Sequence, residues 1–437
     1  MMKVQWMSKE ELNKRVFNNL KKILEHSYRH VPVYKNLYKD LKVHPDQLIT
    51  LDDLGKFPII TKEQLRLAGE KALADNIDKS QMSSHATSGS TAFPLKFYHD
   101  FDWGMRRVAS KWLFDSYFGA RPQSRYFSIL FDPPFKNNIG NDNFFIDKIS
   151  KILHSLTISL KSDRISHVQE YSVSYLEFDR ISEIVKDLIE FKPEYGYGAP
   201  SLLQLFLNAI NEKKIKIPKM KAIVSSIETL LEAERRKFEE EFECPIFNRY
   251  GSRELYGAVA GECEYHSGLH VNSELFMIEI VDDNNEPCSM GEVGNIILTD
   301  FYNKSMPFIR YKIGDIGLLE SECNCGRSFP LLGKLIGRTS EFAINKNGEK
   351  IPLIGLFHSL DETIMDLRFA ESISQFQFKQ IKPGHLEIYI VPSNNWNEDL
   401  VKEKMNDLGK INGIEFVFKI VEKITSFPSG KRQILLT

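Results

Sequence analysis

The sequence predicts an α/β protein: a large N-terminal domain of mostly parallel, helix-covered sheets with a small β subdomain, then a small C-terminal α+β domain. Three observations predict it. Strand–turn–helix units repeat between residues 125 and 251, short alternating β runs take over after Gly251, and strands mix with one helix beyond about Gly337. A length of 437 residues suits two or three domains, placed here at 1–337 and 338–437 with the β-rich subdomain at about 255–335.

Composition bounds the function. Forty-two per cent hydrophobic and 27% charged residues are ordinary for a globular protein with a sizeable core. Fifty-seven basic residues against 59 acidic ones leave a net charge of −2, so no global field recruits nucleic acid or an anionic membrane. Anion handling must be local. No apolar run approaches the roughly 18 residues of a spanning helix, and Met1 to Leu24 contains no signal-like apolar core, so a cytoplasmic location without membrane insertion is expected. Five cysteines argue against a disulfide framework and leave free thiols or a metal site. Oligomeric state is not legible.

The elements follow in order. Leu12, Val16, Leu20 and Leu24 recur at helical spacing within Lys9 to Tyr28, and His30-Val31-Pro32-Val33-Tyr34 breaks that helix. Leu51 to Phe57 reads as a loop, and Thr61 as the N-cap of a helix from Lys62. A second helix, Asp102 to Phe118, presents Trp103, Val108, Trp112 and Tyr117 as an aromatic core face and stops at Gly119. Arg125 to Phe131 is a buried strand ended by Asp132-Pro133-Pro134; Asn137 to Arg164 has no assigned role. Tyr175 to Phe191 is an amphipathic helix leading into Tyr195-Gly196-Tyr197-Gly198-Ala199-Pro200, which has the character of a strand's carboxyl end, where ligands bind in open α/β sheets. Helix Ser201 to Asn211, strand Lys221 to Ser225, helix Leu231 to Phe242 and strand Pro245 to Tyr250 complete this half. Phe276 to Val281 and Gly294 to Thr299 flank a polar turn and read as a hairpin; His385 to Val391, helix Asn397 to Leu408 and Glu415 to Ile420 make the last domain.

Five short stretches carry the chemistry. Thr87-Ser88-Gly89-Ser90-Thr91 combines four hydroxyls with one glycine, a composition that lets main-chain N–H groups approach an anion. Alone it is most simply a solvated turn, with no Walker-type lysine after it. Tyr250-Gly251-Ser252-Arg253-Glu254 sets an aromatic ring, a tight turn and a carboxylate together; Ile313-Gly314-Asp315 ends a strand in a carboxylate. Gly337-Arg338-Thr339-Ser340 marks the proposed boundary, and Ser429-Gly430-Lys431 places a lysine on a glycine turn.

In this order, the stretches resemble the adenylate-forming (acyl-activating) superfamily, and more closely its branch of phenylacetate–coenzyme A ligases and the related capsular polysaccharide biosynthesis (CapK-like) proteins. The resemblance covers nearly the whole chain. It implies that Thr87, Ser88, Gly89, Ser90 and Thr91 hold the β- and γ-phosphates of ATP, that Glu254 binds Mg²⁺, and that Tyr250 and Gly251 lie beside the adenine. It also implies that Asp315 accepts the ribose hydroxyls, that Arg338 lies near ribose and phosphate, and that Lys431 reaches the α-phosphate from a small C-terminal domain that rotates about the 337–340 boundary. Glu228 falls on the adenine-side turn, and Tyr195, Tyr197, Gly198 and Ala199 lie where the acyl pocket is lined. The implied activity is ATP-dependent conversion of a carboxylic acid to an acyl-adenylate, with coenzyme A the first acceptor to consider. The alternatives are an amide or ester ligase acting on an amino sugar or amine, and a nucleotide-binding scaffold without turnover. Departures are Ala92 for a second loop glycine, Arg253 before the glutamate, and Ser340 at the hinge.

Cys263, His266, Cys323 and Cys325 supply four potential Zn²⁺ ligands, with His270 able to replace His266 and buried free thiols as the alternative. Cys244 and Cys288 stand apart from that set.

Overall fold

The computed structural model describes residues 1–86, 95–130, 168–172, 185, 188–212, 214–255, 257–338, 342–353, 373–392, 396–422, 424 and 435–436. Its N-terminal layer starts with α1 (Lys9–His30), opened by a capping box in which Ser8 and Glu11 exchange hydrogen bonds. Leu12, Val16, Leu20, Ile23 and Leu24 form its buried stripe. The expected break is a one-residue joint. Val31 is extended because it precedes a proline, and Pro32 then opens α2 (Pro32–Asp40) at a position where its missing N–H costs nothing. The Tyr34 hydroxyl donates to Pro307 O at 2.9 Å and accepts from Ile309 N–H at 3.0 Å, tying this layer to the main sheet. Leu51–Lys56 is a 3₁₀ turn where a loop is predicted. Thr61 caps α3 (Lys62–Ala68) through Gln64, as its sequence predicts.

Among the described residues the main sheet has twelve strands. Its parallel part comprises β4 (Tyr126–Leu130), β5 (Val168–Ser172), β6 (Tyr195–Gly198) and β7 (Ala222–Ser225), ordered β7–β6–β4–β5. Helices α5 (Pro200–Glu212) and α6 (Glu232–Phe242) pack on it through Leu203, Phe206, Phe238 and Phe242. Strand β8 (Ile246–Ser252) then changes the sheet's character: its first half pairs parallel with β7, its second antiparallel with β9 (Gly257–Glu262). The antiparallel part continues through β10 (Leu269–Val271), β14 (Leu331–Arg338), β13 (Tyr311–Glu320), β12 (Gly294–Asp300) and β11 (Phe276–Val281), with the two-residue β1 (Ile60–Thr61) beside β13. The predicted hairpin is β11–β12, in register from Phe276↔Asp300 to Val281↔Asn295.

Helix α4 (Phe101–Asp115) lies against β9 and has Asp100 as its N-cap. Trp103, Leu113, Phe114 and, beyond the helix end, Tyr117 are buried, whereas Trp112, predicted in the core face, is 43% exposed. Its position, one residue before Leu113, turns it outward on a helix of 3.6 residues per turn. Beyond the main sheet, β17 (Ile373–Lys382), β18 (His385–Pro392), β19 (Glu415–Ile420) and β20 (Leu435–Leu436) form a separate sheet in the order β19–β18–β17–β20. With α7 (Glu398–Asn412) it encloses a core of its own, including Phe378, Ile388, Ile390, Val401 and Met405. Residues 137–164 and most of the predicted helix at 175–191 lie outside the described residues.

A hairpin of β2 (Ser83–Ala86) and β3 (Lys96–His99) flanks the 87–94 segment. At its base His85 and His99 stack at 4.9 Å, with Trp103 against His99 at the same distance. Burial pushes His99 down to about 3 and His85 down to about 4, so both rings are neutral in the folded protein near neutrality. The unfolded chain binds those protons near pH 6.5; the histidines therefore stabilise fully above that value and lose the contribution as pH falls toward 4. Buried Asp300, pushed up to about 6, opposes them over part of this interval. Replacing His99 by Gln should flatten the slope of unfolding free energy between pH 4 and 6 by up to about 1.4 kcal/mol per pH unit, read from urea unfolding.

Candidate active site

Strand β8 and the turn after it place three of the predicted residues. Gly251 has no alternative at its position: a Cβ there would lie 2.0 Å from Gly257 O, across the bulge where β8 and β9 change register. That approach sets Tyr250 on one side of the turn and Glu254 on the other. The Tyr250 hydroxyl donates to Asp315 Oδ2 at 2.7 Å, joining β8 to β13 although three strands separate them in the sheet order. Asp315 and Arg338 are direct partners in the β13–β14 ladder. Glu254 is 6% exposed and accepts a hydrogen bond from the Tyr311 hydroxyl at 3.3 Å. The sheet thus brings Tyr250, Gly251, Asp315 and the Arg338 backbone together, with Glu254 on the adjoining turn.

The turn after β7 adds Glu228. One carboxylate oxygen accepts from Ser201 N–H at 3.1 Å, while Oε1 is buried without a hydrogen-bond partner among the described residues. Ile227 beside it has φ = 77°, which a β-branched residue adopts only where surrounding contacts enforce it, at a cost of about 1–3 kcal/mol. Such strain is not legible in a sequence. Thr87, Ser88, Gly89, Ser90, Thr91 and Lys431 lie outside the described residues, as does the Arg338 side chain.

The predicted pocket residues divide. Tyr195 is 2% exposed and packs against Phe118 and Tyr126, with ring centroids 5.4 Å away in each case, which is core packing. Tyr197 is half-buried near the Arg249 guanidinium. A Cβ on Gly198 would meet Leu203 of α5 at 3.1 Å, so this glycine serves helix–sheet packing, and Ala199 is buried beside it. Arg249 itself is buried and ion-paired with Asp115, which Lys111 also contacts at 2.8 Å.

The cysteine cluster assembles, with one exchange. The ligand atoms of Cys263, His270, Cys323 and Cys325 all lie within 4.8 Å of one another. Cys263 Sγ is 3.6 Å from Cys323 Sγ, and Cys325 Sγ is 3.3 Å from His270 Nε2. His266, named first from the sequence, is not in the set. It occupies a left-handed turn position, and its Nδ1 lies 3.2 Å from Glu262 Oε2 and 3.1 Å from Arg235, inside the ion pair that ties α6 to β9. His270 succeeds because β10 pairs with both β9 and β14 and so faces the 321–330 loop. Burial pushes His270 down to about 4 and the Cys263 thiol up to about 12. Burial also works against the Cys325 thiolate, but hydrogen bonding from Arg327 holds it below the usual thiol value.

No family model matches the chain. It is 25% identical over 422 residues to a phenylacetate–coenzyme A ligase of Thermus thermophilus, covering 92% of this chain and 86% of that protein. It is 23% identical over 395 residues to Protein CapK of Staphylococcus aureus, covering 89% and 81%. Among solved structures it superposes on a 2-hydroxyisobutyryl-CoA ligase in the postadenylation state with a TM-score of 0.78 at 17% identity, over 99% of this chain and 91% of that one. The fold is that of the adenylate-forming enzymes, and the chain is an ATP-dependent, AMP-forming acid ligase. Within that superfamily its sequence is like that of the phenylacetate–CoA ligases and CapK among the relatives compared.

Gly251→Ala should destabilise the protein by about 1–3 kcal/mol, because the carbonyl of Gly257 has no side chain that can yield. Urea unfolding at fixed pH measures it.

Proposed function

We propose that the chain activates a carboxylic acid with ATP to give an acyl-adenylate and pyrophosphate, then passes the acyl group to coenzyme A. The observation that carries this reading is the Tyr250–Asp315 hydrogen bond with Arg338 directly across the ladder, a constellation suited to a nucleoside. Asp315 would accept the ribose hydroxyls and Tyr250 would border the adenine, with Glu228 on the opposite turn. Thr87–Thr91 would bind the terminal phosphates at the end of the β2–β3 hairpin.

The chemistry assigns the remaining groups. A carboxylate attacking the α-phosphorus brings two anions together, and negative charge builds on the phosphoryl oxygens in the transition state. Glu254, a buried carboxylate, has the hard oxygen donor that Mg²⁺ takes, and the bound ion would neutralise phosphate charge. Lys431, on a C-terminal domain beginning near residue 338, would hold the α-phosphate and the substrate carboxylate; rotation of that domain would separate the two half-reactions. Coenzyme A as acceptor is supported by the CoA ligases among the similar proteins, one of them solved with an acyl-adenylate and CoA.

Lys431→Ala should lower acid-dependent ATP–pyrophosphate exchange by roughly 10²–10³, and Glu254→Gln should do the same. Asp315→Asn should act mainly through a higher KM for ATP. Unchanged exchange in Lys431→Ala would sink the adenylation reading. Following AMP release across a panel of acids, beginning with phenylacetate and with coenzyme A or amines as acceptor, decides the second half-reaction.

We also propose that Cys263, His270, Cys323 and Cys325 bind a structural Zn²⁺. Tetrahedral Zn–S bonds of about 2.3 Å place sulfurs about 3.8 Å apart, against 3.6 Å for Cys263 and Cys323. His270 Nδ1 lies 3.5 Å from Phe329 O, which favours the tautomer with a free Nε2. Elemental analysis should find about one zinc per chain, lost together with thermal stability in Cys323→Ser/Cys325→Ser; His266→Ala should retain the metal. A metal-free wild-type protein would refute the site.

A further inference from the structure

The two ends of the parallel strands differ in character. The residues proposed for the nucleotide lie toward the carboxyl ends of β7 and β8 and on β13 and β14, whereas a cavity of about 470 Å³ opens at the amino ends of β4, β6 and β7. Among the described residues, Arg125, Lys192, Lys216, Lys219 and Lys221 line it, against a single carboxylate, Glu194. We propose that this cavity binds a small polyanion carrying phosphoryl groups, at a site separate from the adenylation centre.

The cations are gathered by backbone, not by chance side-chain placement. Arg125 immediately precedes β4, Lys192 comes three residues before β6, and Lys221 immediately precedes β7. The three entries are tied together. Glu194 N–H donates to Arg125 O at 2.9 Å, Lys221 N–H to Glu194 O at 2.7 Å, and Arg125 Nε to Lys192 O at 2.9 Å. Lys192 holds a left-handed conformation at φ = 50°, which turns the chain out of its helix and into the cavity wall.

Among the described residues, the charge within the cavity is not balanced. Glu194 is already committed, accepting from Lys221 Nζ at 2.8 Å and from Arg125 N–H at 3.2 Å. Lys219 pairs with Glu243 at 3.7 Å between two exposed side chains, a contact worth little. Three connected strand entries therefore hold like charges close together in a chain whose net charge is −2. An anion with two or more charged groups relieves that repulsion at several points at once, while a monovalent ion cannot. Ile189 and Ile217 give the cavity apolar wall as well, and its volume lies within the roughly 300–1,000 Å³ of small-molecule sites. Inorganic pyrophosphate, which adenylation releases, and a phosphorylated metabolite share this chemistry.

Isothermal titration calorimetry in 0.1 M salt tests the site, using inorganic pyrophosphate in one arm and a sugar bisphosphate in the other. The adenylation centre is first saturated with a non-hydrolysable ATP analogue. Wild-type protein should bind at least one of the two ligands, and Lys192→Glu/Lys216→Glu/Lys219→Glu should weaken that binding roughly tenfold or more. The Gln triple variant should show a smaller loss, and serves as the measurement if charge reversal impairs folding. Both variants should retain acid-dependent pyrophosphate exchange, so loss of exchange with Lys431→Ala and loss of polyanion binding here report on different sites. No binding of either ligand by wild type, or equal affinity in wild type and both variants, overturns the proposal.

Discussion

Strand β8 is the constraint on which the site depends. It is hydrogen-bonded on one edge to a parallel neighbour and on the other to an antiparallel one, over different halves of the same seven residues. A parallel ladder needs a crossover helix and an antiparallel ladder needs only a turn, so the chain changes its manner of construction along this strand. The antiparallel strands then bend far enough for Tyr250 on β8 to reach Asp315 on β13. A glycine that tolerates a carbonyl 2.0 Å from its absent Cβ makes the bend and delivers Glu254 to the turn.

Burial governs the electrostatics around that frame. Tyr250, Glu254 and Asp315 are all less than 9% exposed, so their polar atoms act in a poorly solvated setting where charge interactions are strong. The same burial holds His85 and His99 neutral at the base of the β2–β3 hairpin. At the opposite end of the parallel strands, Arg125 and its lysine neighbours remain exposed or half-buried and charged. One short sheet thus separates a buried, mostly acidic site from an open basic cavity.

Much of this was legible in the sequence where the signal is local. Thr61 with Gln64, Ser225 at a strand end and the polar turn between β11 and β12 follow from capping, strand propensity and turn chemistry, and the structure has them. The motif residues Tyr250, Glu254 and Asp315 were legible as an ordered set. Signals that depend on a third element were weaker. Trp112 was placed in a core face that Leu113 and Phe114 occupy, because one residue of helical phase decides burial. Tyr195 was read as pocket and is core, since the aromatic residues that enclose it come from α4's end and from β4. His266 and His270 are both near Cys263 in the chain, and only strand pairing selects His270.

By itself, then, the sequence determined the α/β class, the order of the chemical motifs, and the local punctuation of helices and turns. These rest on interactions spanning a few residues, which composition and spacing encode directly. The tertiary structure alone decided which histidine joins three cysteines, which tyrosine meets Asp315, that Ile227 is held in a strained turn, and that five cations converge at the amino ends of β4, β6 and β7. Each of those is a contact between segments brought together by sheet register, and register is set by the sum of many side-chain burials, not by any one motif.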